Sequence, residues 1–162
     1  MFGHDHGKKK LCAKVAGICL KAPAGALLVD SFDRIVGTPE PQGYDELALY
    51  AYSDTQARLE RYTDGGLPTE QKRVYLVPIK AAHEALTAVF EAKMDTWNDL
   101  RDADALCGRS CVCRFRGADG GYIRVSTEHM PRDGMRAFDA VAIALGSYLR
   151  DEYLHTNIPL NA

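Results

Sequence analysis

No stretch of the sequence supplies the roughly 20 consecutive apolar residues that a membrane-spanning helix needs. The longest apolar runs, at 24–29 and 140–145, stop far short of that. The opening residues are Gly, His, Asp and Lys where a signal peptide is apolar, so the expectation is a cytoplasmic chain, neither exported nor inserted in a membrane. A basic excess is also missing. Lys and Arg number 20 against 22 Asp and Glu, a net charge of −2, so nothing draws the whole molecule to DNA or an acidic membrane. Any nucleic-acid contact would need a local arginine patch. The sequence has no G-x-S-x-G, H-E-x-x-H, P-loop or G-x-G-x-x-G motif, and therefore no cofactor loop; no cofactor is expected. His83, His129 and His155 stand apart from any nucleophile motif, although a triad needs only spatial proximity. Internal repeats and low-complexity tracts are absent as well.

The cysteines are too few and of the wrong number for a disulfide scaffold. Five of them leave one unpaired in any complete scheme, and a chain of 162 residues buries about two thirds of its unfolded surface without bridges. Reduced thiols fit a reducing compartment.

What is present points to one α+β domain over residues 11–162 behind a polar, flexible tail at 1–10, with a mostly antiparallel sheet covered by helices at about 80–100 and 133–153. Leu11–Val36 reads as two short strands, the second folding back at Asp30, Ser31 and Asp33, which favour turns. Residues 37–43, GTPEPQG, hold two prolines and two glycines and break any helix or central strand. Leu47, Leu49 and Ala51 alternate as in a strand; Ser53 or Asp54 is placed to cap a short helix reaching Tyr62; Val74–Ile79 reads as a buried strand. Leu86, Val89, Phe90, Trp97 and Leu100 share one helical face, and so do Met135, Phe138, Val141, Ala142, Leu145, Tyr148 and Leu149, behind Asp133 as cap. Nothing in the pattern sets an oligomeric state.

Residues 110–127 form the clearest hairpin, around the glycine-rich loop Gly117–Gly121. If Phe115 faces Ile123 inward, Cys113 faces Val125, Cys111 faces Thr127, and the other side of the ribbon opposes Arg114 to Arg124 and Arg116 to Tyr122. Like charges opposed across strands repel, so a carboxylate from elsewhere in the fold or a bound anion is required to relieve them, and an arginine fork suits phosphate. Arg114, Arg116, Tyr122 and Arg124 are thus the candidate site for an anion or a protein partner. Two metal readings compete with plainer ones. Cys107, Cys111 and Cys113 lie within seven residues, but two of them fall along a strand on its inward side, where cysteine packs as core. His4 and His6 flank Asp5 on a polar tail, an unselective pair of ligands. No metal site is expected from either.

The segment VAGICLKAPAGALLVDSFDRIVGT resembles the opening strands of the cytidine and deoxycytidylate deaminases, and that likeness implies a hairpin ahead of a zinc-binding helix. The H-x-E and P-C-x-x-C motifs of that chemistry are absent, so the likeness does not extend to a deaminase reaction. RGADGGYIRV followed by an alanine-rich helix is similar to the hairpin and helix of small antirestriction proteins of mobile elements, which implies an accessory or inhibitory role. Three functions follow in order: a non-catalytic protein that binds a partner through a surface; a small enzyme or sensor for a phosphate-bearing ligand, with the arginines as clamp and a histidine as acid or base; and a metal-binding protein.

Overall fold

The computed structural model describes the backbone of residues 2–99, 108–149 and 156–157, and the side chains of 7–97 and 108–149. The chain opens with a helix, α1 (Phe2–Lys21), which takes in both the expected tail and the first expected strand. Leu11, Val15, Ile18 and Cys19 recur at helical spacing and put one stripe inward, Val15 being 1% and Ile18 3% exposed. Pro23 and Gly25, the latter at φ +85°, then end the helix and turn the chain into the sheet.

β1 (Leu27–Ile35) is one continuous strand. Asp30 and Ser31 do not fold it back, and the hairpin expected at this point is absent. β2 (Tyr44–Ala51), β3 (Gln56–Gly65) and β4 (Gln71–Pro78) follow as a meander. The expected helix at 53–62 is instead the β2–β3 turn and most of β3. Ser53 does cap a backbone, but that of a turn: its Oγ accepts from the Gln56 N–H at 3.1 Å while its own N–H donates to the Gln56 carbonyl at 3.0 Å. Ala57 and Leu59 then point one way and Arg58 and Glu60 the other, a period of two.

The helix expected over 80–100 is shorter, α2 (Lys80–Glu91). Lys93 adopts φ +56°, which breaks the helix, and a 3₁₀ turn (Met94–Asp99) continues at a new angle. The break serves the core: Met94 is fully buried, and Trp97 meets Phe138 edge to face with ring centroids 5.6 Å apart. β5 (Arg109–Arg116) and β6 (Tyr122–Ser126) form the expected hairpin, except that the ladder ends at Val112 with Ser126 and Thr127 enters a 3₁₀ turn (Thr127–His129) and is not paired with Cys111. Its last helix is α3 (Met135–Gly146), capped by Gly134 and not by Asp133, with a 3₁₀ turn (Ser147–Leu149) after it. Residues 150–153 of the expected helix lie outside the described residues, as do Leu100 and Cys107. β7 (Thr156–Asn157) is a two-residue strand.

The strands form one antiparallel sheet in the order β6-β5-β1-β2-β3-β4-β7, which makes the molecule the α+β protein expected. β1 is central, with the β2–β4 meander on one side and the β5–β6 hairpin on the other. Register assigns the two faces unequal chemistry. Ile123, Phe115, Val29, Leu49, Leu59 and Tyr75 lie side by side across six strands, and α1, α2 and α3 pack over that face. One residue along, Arg124, Arg114, Asp30, Ala48, Glu60 and Val74 form the parallel row on the opposite face, over which no described helix lies. As expected, α3 crosses the inner face beside the hairpin, burying Phe138, Val141 and Leu145. No helix among the described residues is long and apolar enough to cross a membrane.

Candidate functional site

The outward face of the β5–β6 hairpin has the register that its alternating residues dictate: Arg114 opposite Arg124, Phe115 opposite Ile123, Arg116 opposite Tyr122. Phe115 and Cys113 are fully buried on the inner side, so the three arginines and the tyrosine are forced to the other side. Their fates differ.

Arg114 is engaged by the fold. Asp30 of β1 is its partner in the ladder, and the Asp30 carboxylate accepts from the Arg114 backbone N–H at 2.8 Å and from Nε at 2.6 Å. Asp30 is 1% exposed, so this is a buried charge held by two kinds of donor from one residue. Burial pushes its carboxyl above the ordinary carboxylate range, and the hydrogen bonds and charge of Arg114 oppose that shift, with the charge of Arg124 adding to the opposition. Glu46 of β2 stands 3.8 Å from the same guanidinium; burial raises its carboxyl too, and the neighbouring Asp30 raises it further. The relief of the arginine repulsion therefore comes from within the fold at Arg114.

Arg124 is exposed, and Arg116 is partly covered by Tyr122. Arg116 donates to the Tyr122 hydroxyl at 3.2 Å and lies 5.5 Å from the centre of its ring, and Tyr122 itself is 54% exposed. Among the described residues no carboxylate lies within ion-pair distance of Arg116 or Arg124. The middle of the same face is self-contained by comparison. Glu60 accepts from Lys72 at 2.9 Å and from Arg58 at 3.4 Å, and Tyr50 beside it is pushed up to about 12 by burial and by the Glu60 charge. Phe32 and Tyr44 stack on each other at 4.9 Å.

A second polar cluster, on the helix-covered face, went unread in the sequence. Arg109 bridges Asp33 at 2.6 Å and Asp139 of α3 at 3.3 Å, beside a groove of about 570 Å³ that also touches Ile143 and Ser147. The partners lie 76 and 30 residues from Arg109, so no local pattern announces them.

Of the two metal readings, Cys107 and the side chains of His4, Asp5 and His6 lie outside the described residues. Cys111 and Cys113 are buried on the inner face, and among the described residues no three His, Cys, Asp or Glu groups are placed to hold an ion. Burial pushes the Cys111 thiol up to about 12, raises Cys113 further, and pushes Cys19 up to about 11. Alkylation of the native protein at neutral pH, followed by peptide mapping, is expected to mark Cys12 readily and to leave Cys19, Cys111 and Cys113 unmarked until the chain is unfolded. Rapid labelling of Cys113 would mean that the hairpin is inverted. His83 lines a small cleft with Cys19 and Ile79, His129 sits in the 3₁₀ turn after β6, and the side chains of His4, His6 and His155 fall outside the described ones. Four clefts among the described residues, one of them reaching Glu46 and Tyr62 at the sheet's outward side, are not lined by Arg114, Arg116, Tyr122 or Arg124.

Fold and face together define a small α+β protein with one sheet face that carries charged side chains and over which no described helix lies. No family model matches this chain, and neither the curated proteins nor the solved structures contain a match.

Proposed function

We propose that this is a non-catalytic binding protein that takes a partner bearing carboxylate or phosphate groups on the outward face of the β5–β6 hairpin. One contrast carries the reading. Arg114 has a buried carboxylate as its counter-charge, whereas Arg124, exposed, and Arg116, partly covered by the exposed Tyr122, have none among the described residues. A guanidinium held at a fixed register on a strand loses less freedom on binding an anion than one on a loop, and its fork takes two oxygens at once. The shape of the site also favours binding over catalysis: the clefts described above are not lined by the three arginines or Tyr122, and the described histidines lie on other elements.

The test is the pair Arg116→Gln and Arg124→Gln made together. Binding of inorganic polyphosphate at low salt should weaken by about tenfold, with the melting temperature unchanged and the remaining binding less sensitive to salt. Unaltered binding in the double variant would remove the reading.

A further inference from the structure

The two ends of the sheet are finished differently. At one end β7 pairs with β4, Thr156 against Leu76 and Asn157 against Tyr75. At the other end β6 is the terminal strand, and among the described residues nothing pairs with its far side. The direction of its free backbone groups follows from the hairpin. The Gly117 N–H donates to the Gly121 carbonyl at 2.7 Å, closing the loop, and hydrogen-bonded pairs alternate from there through Phe115 with Ile123 and Cys113 with Val125. The N–H and C=O groups of Tyr122 and Arg124 consequently point away from β5, toward an edge that no described residue pairs, whereas Ser126 beyond them is only 5% exposed and that end of the strand is covered.

We infer that an extended acidic segment of a partner protein adds to this edge as an eighth strand, placing a carboxylate opposite Arg124. The inference rests on the reading of the outward hairpin face as a binding surface and specifies how that surface is used. Its basis is charge complementarity in register. Arg124 has Arg114 beside it on the β5 side, and Asp30 lies one strand beyond, committed to Arg114. A residue directly opposite Arg124 on an added strand comes within about 5 Å at Cβ, the spacing at which unlike charges across strands attract. A residue of the added strand next to the one facing Arg124 falls beside the partly buried Ile123 on the inner side, where an apolar side chain extends the core row. A second copy of this chain is a poor occupant, because antiparallel pairing of two β6 strands about their middle residue sets Arg124 against Arg124. The arginine thus guards the edge against self-association while selecting an acidic strand.

Calorimetric titration with a short peptide in which glutamate alternates with valine tests this, alongside the same peptide N-methylated at every other residue. Methylation leaves the charge intact and removes the donors that a strand must offer. The plain peptide should bind, the methylated one should bind at least about tenfold more weakly, and Arg124→Gln should weaken the plain peptide by a similar factor. Hydrogen exchange at the Tyr122 and Arg124 amides should slow in the complex. If methylation changes nothing while Arg124→Gln still weakens both peptides, strand addition is wrong and the outward face survives as an anion surface. If Arg124→Gln has no effect on either peptide, both readings fail. Stronger binding of single-stranded oligothymidylate than of the peptide, or a dimer that grows with protein concentration and is broken by Arg124→Glu, would overturn the inference in favour of nucleic acid or a second copy.

Discussion

Phe115→Ala is expected to cost about 3–5 kcal/mol in a denaturant titration, a large fraction of the roughly 5–15 kcal/mol by which folded domains are stable. Phe115 is fully buried at the crossing of two packing directions. Across the sheet it lies between Val29 and Ile123, and above the sheet the Phe90 ring of α2 meets it edge to face at 5.6 Å. Truncation removes the transfer energy of the ring and leaves a cavity whose floor is a three-strand ladder. A hydrogen-bonded ladder collapses into a void less readily than a loop does, so the cavity is retained and its cost with it. A loss below about 1 kcal/mol would mean that the hairpin does not lie against α2.

Arg114→Gln should cost about 1–2 kcal/mol at neutral pH, and the cost should shrink in acid. The figure is kept low because the Arg114 side chain is 47% exposed and water screens its far side. Burial raises the Asp30 carboxyl above its ordinary value of 3.8. A carboxyl raised by folding contributes stability that is fully present below the unfolded value and is lost as pH rises through the folded one. Arg114 limits that loss by favouring the ionised form. Its removal lifts the folded value further and deepens the loss near pH 7, while below about pH 4 a protonated Asp30 has little need of the arginine. Thermal melts of both proteins from acid to neutral pH would show the curves diverging as pH rises. Parallel curves would mean that Asp30 is not the group Arg114 serves. Arg124→Gln, on the exposed side of the same rung, is expected to leave stability within about 0.5 kcal/mol, so the two arginines separate structural from binding roles.

The hairpin register was legible in the sequence because Cys113, Phe115, Ile123 and Val125 alternate with Arg114, Arg116, Tyr122 and Arg124, and a slip of one residue would bury three guanidinium groups. The cover of α3 over the sheet was legible for a similar reason, since one apolar stripe and one apolar sheet face had a short link between them. Elsewhere local signals pointed away from the outcome. Asp30 and Ser31 are turn formers in isolation, and they sit in a central strand because Arg114, far along the chain, supplies what a turn or water would otherwise give. Ser53 presented a helix-capping signal that the chain spends on a two-strand turn. Trp97 kept helical spacing with Leu86 and Phe90, yet reaches the core only after the left-handed Lys93 has ended the helix. The Asp33, Arg109 and Asp139 cluster depends on three elements and has no signature in any one of them.

The place of β1 also governs the order in which the sheet can assemble. Each hairpin of the β1–β4 meander closes a short loop, as does β5 with β6, so both groups gain contacts at small entropic cost. Joining them requires β5 to return to β1 across the whole meander and α2, with Asp30 and Arg114 separated by 84 positions in the chain. That ladder is a long-range step on which a single cooperative sheet depends, and an ion pair between the buried Asp30 and the half-exposed Arg114 spans it. The tie that holds Arg114 out of the binding role therefore also fastens together two groups of strands that lie far apart in the chain.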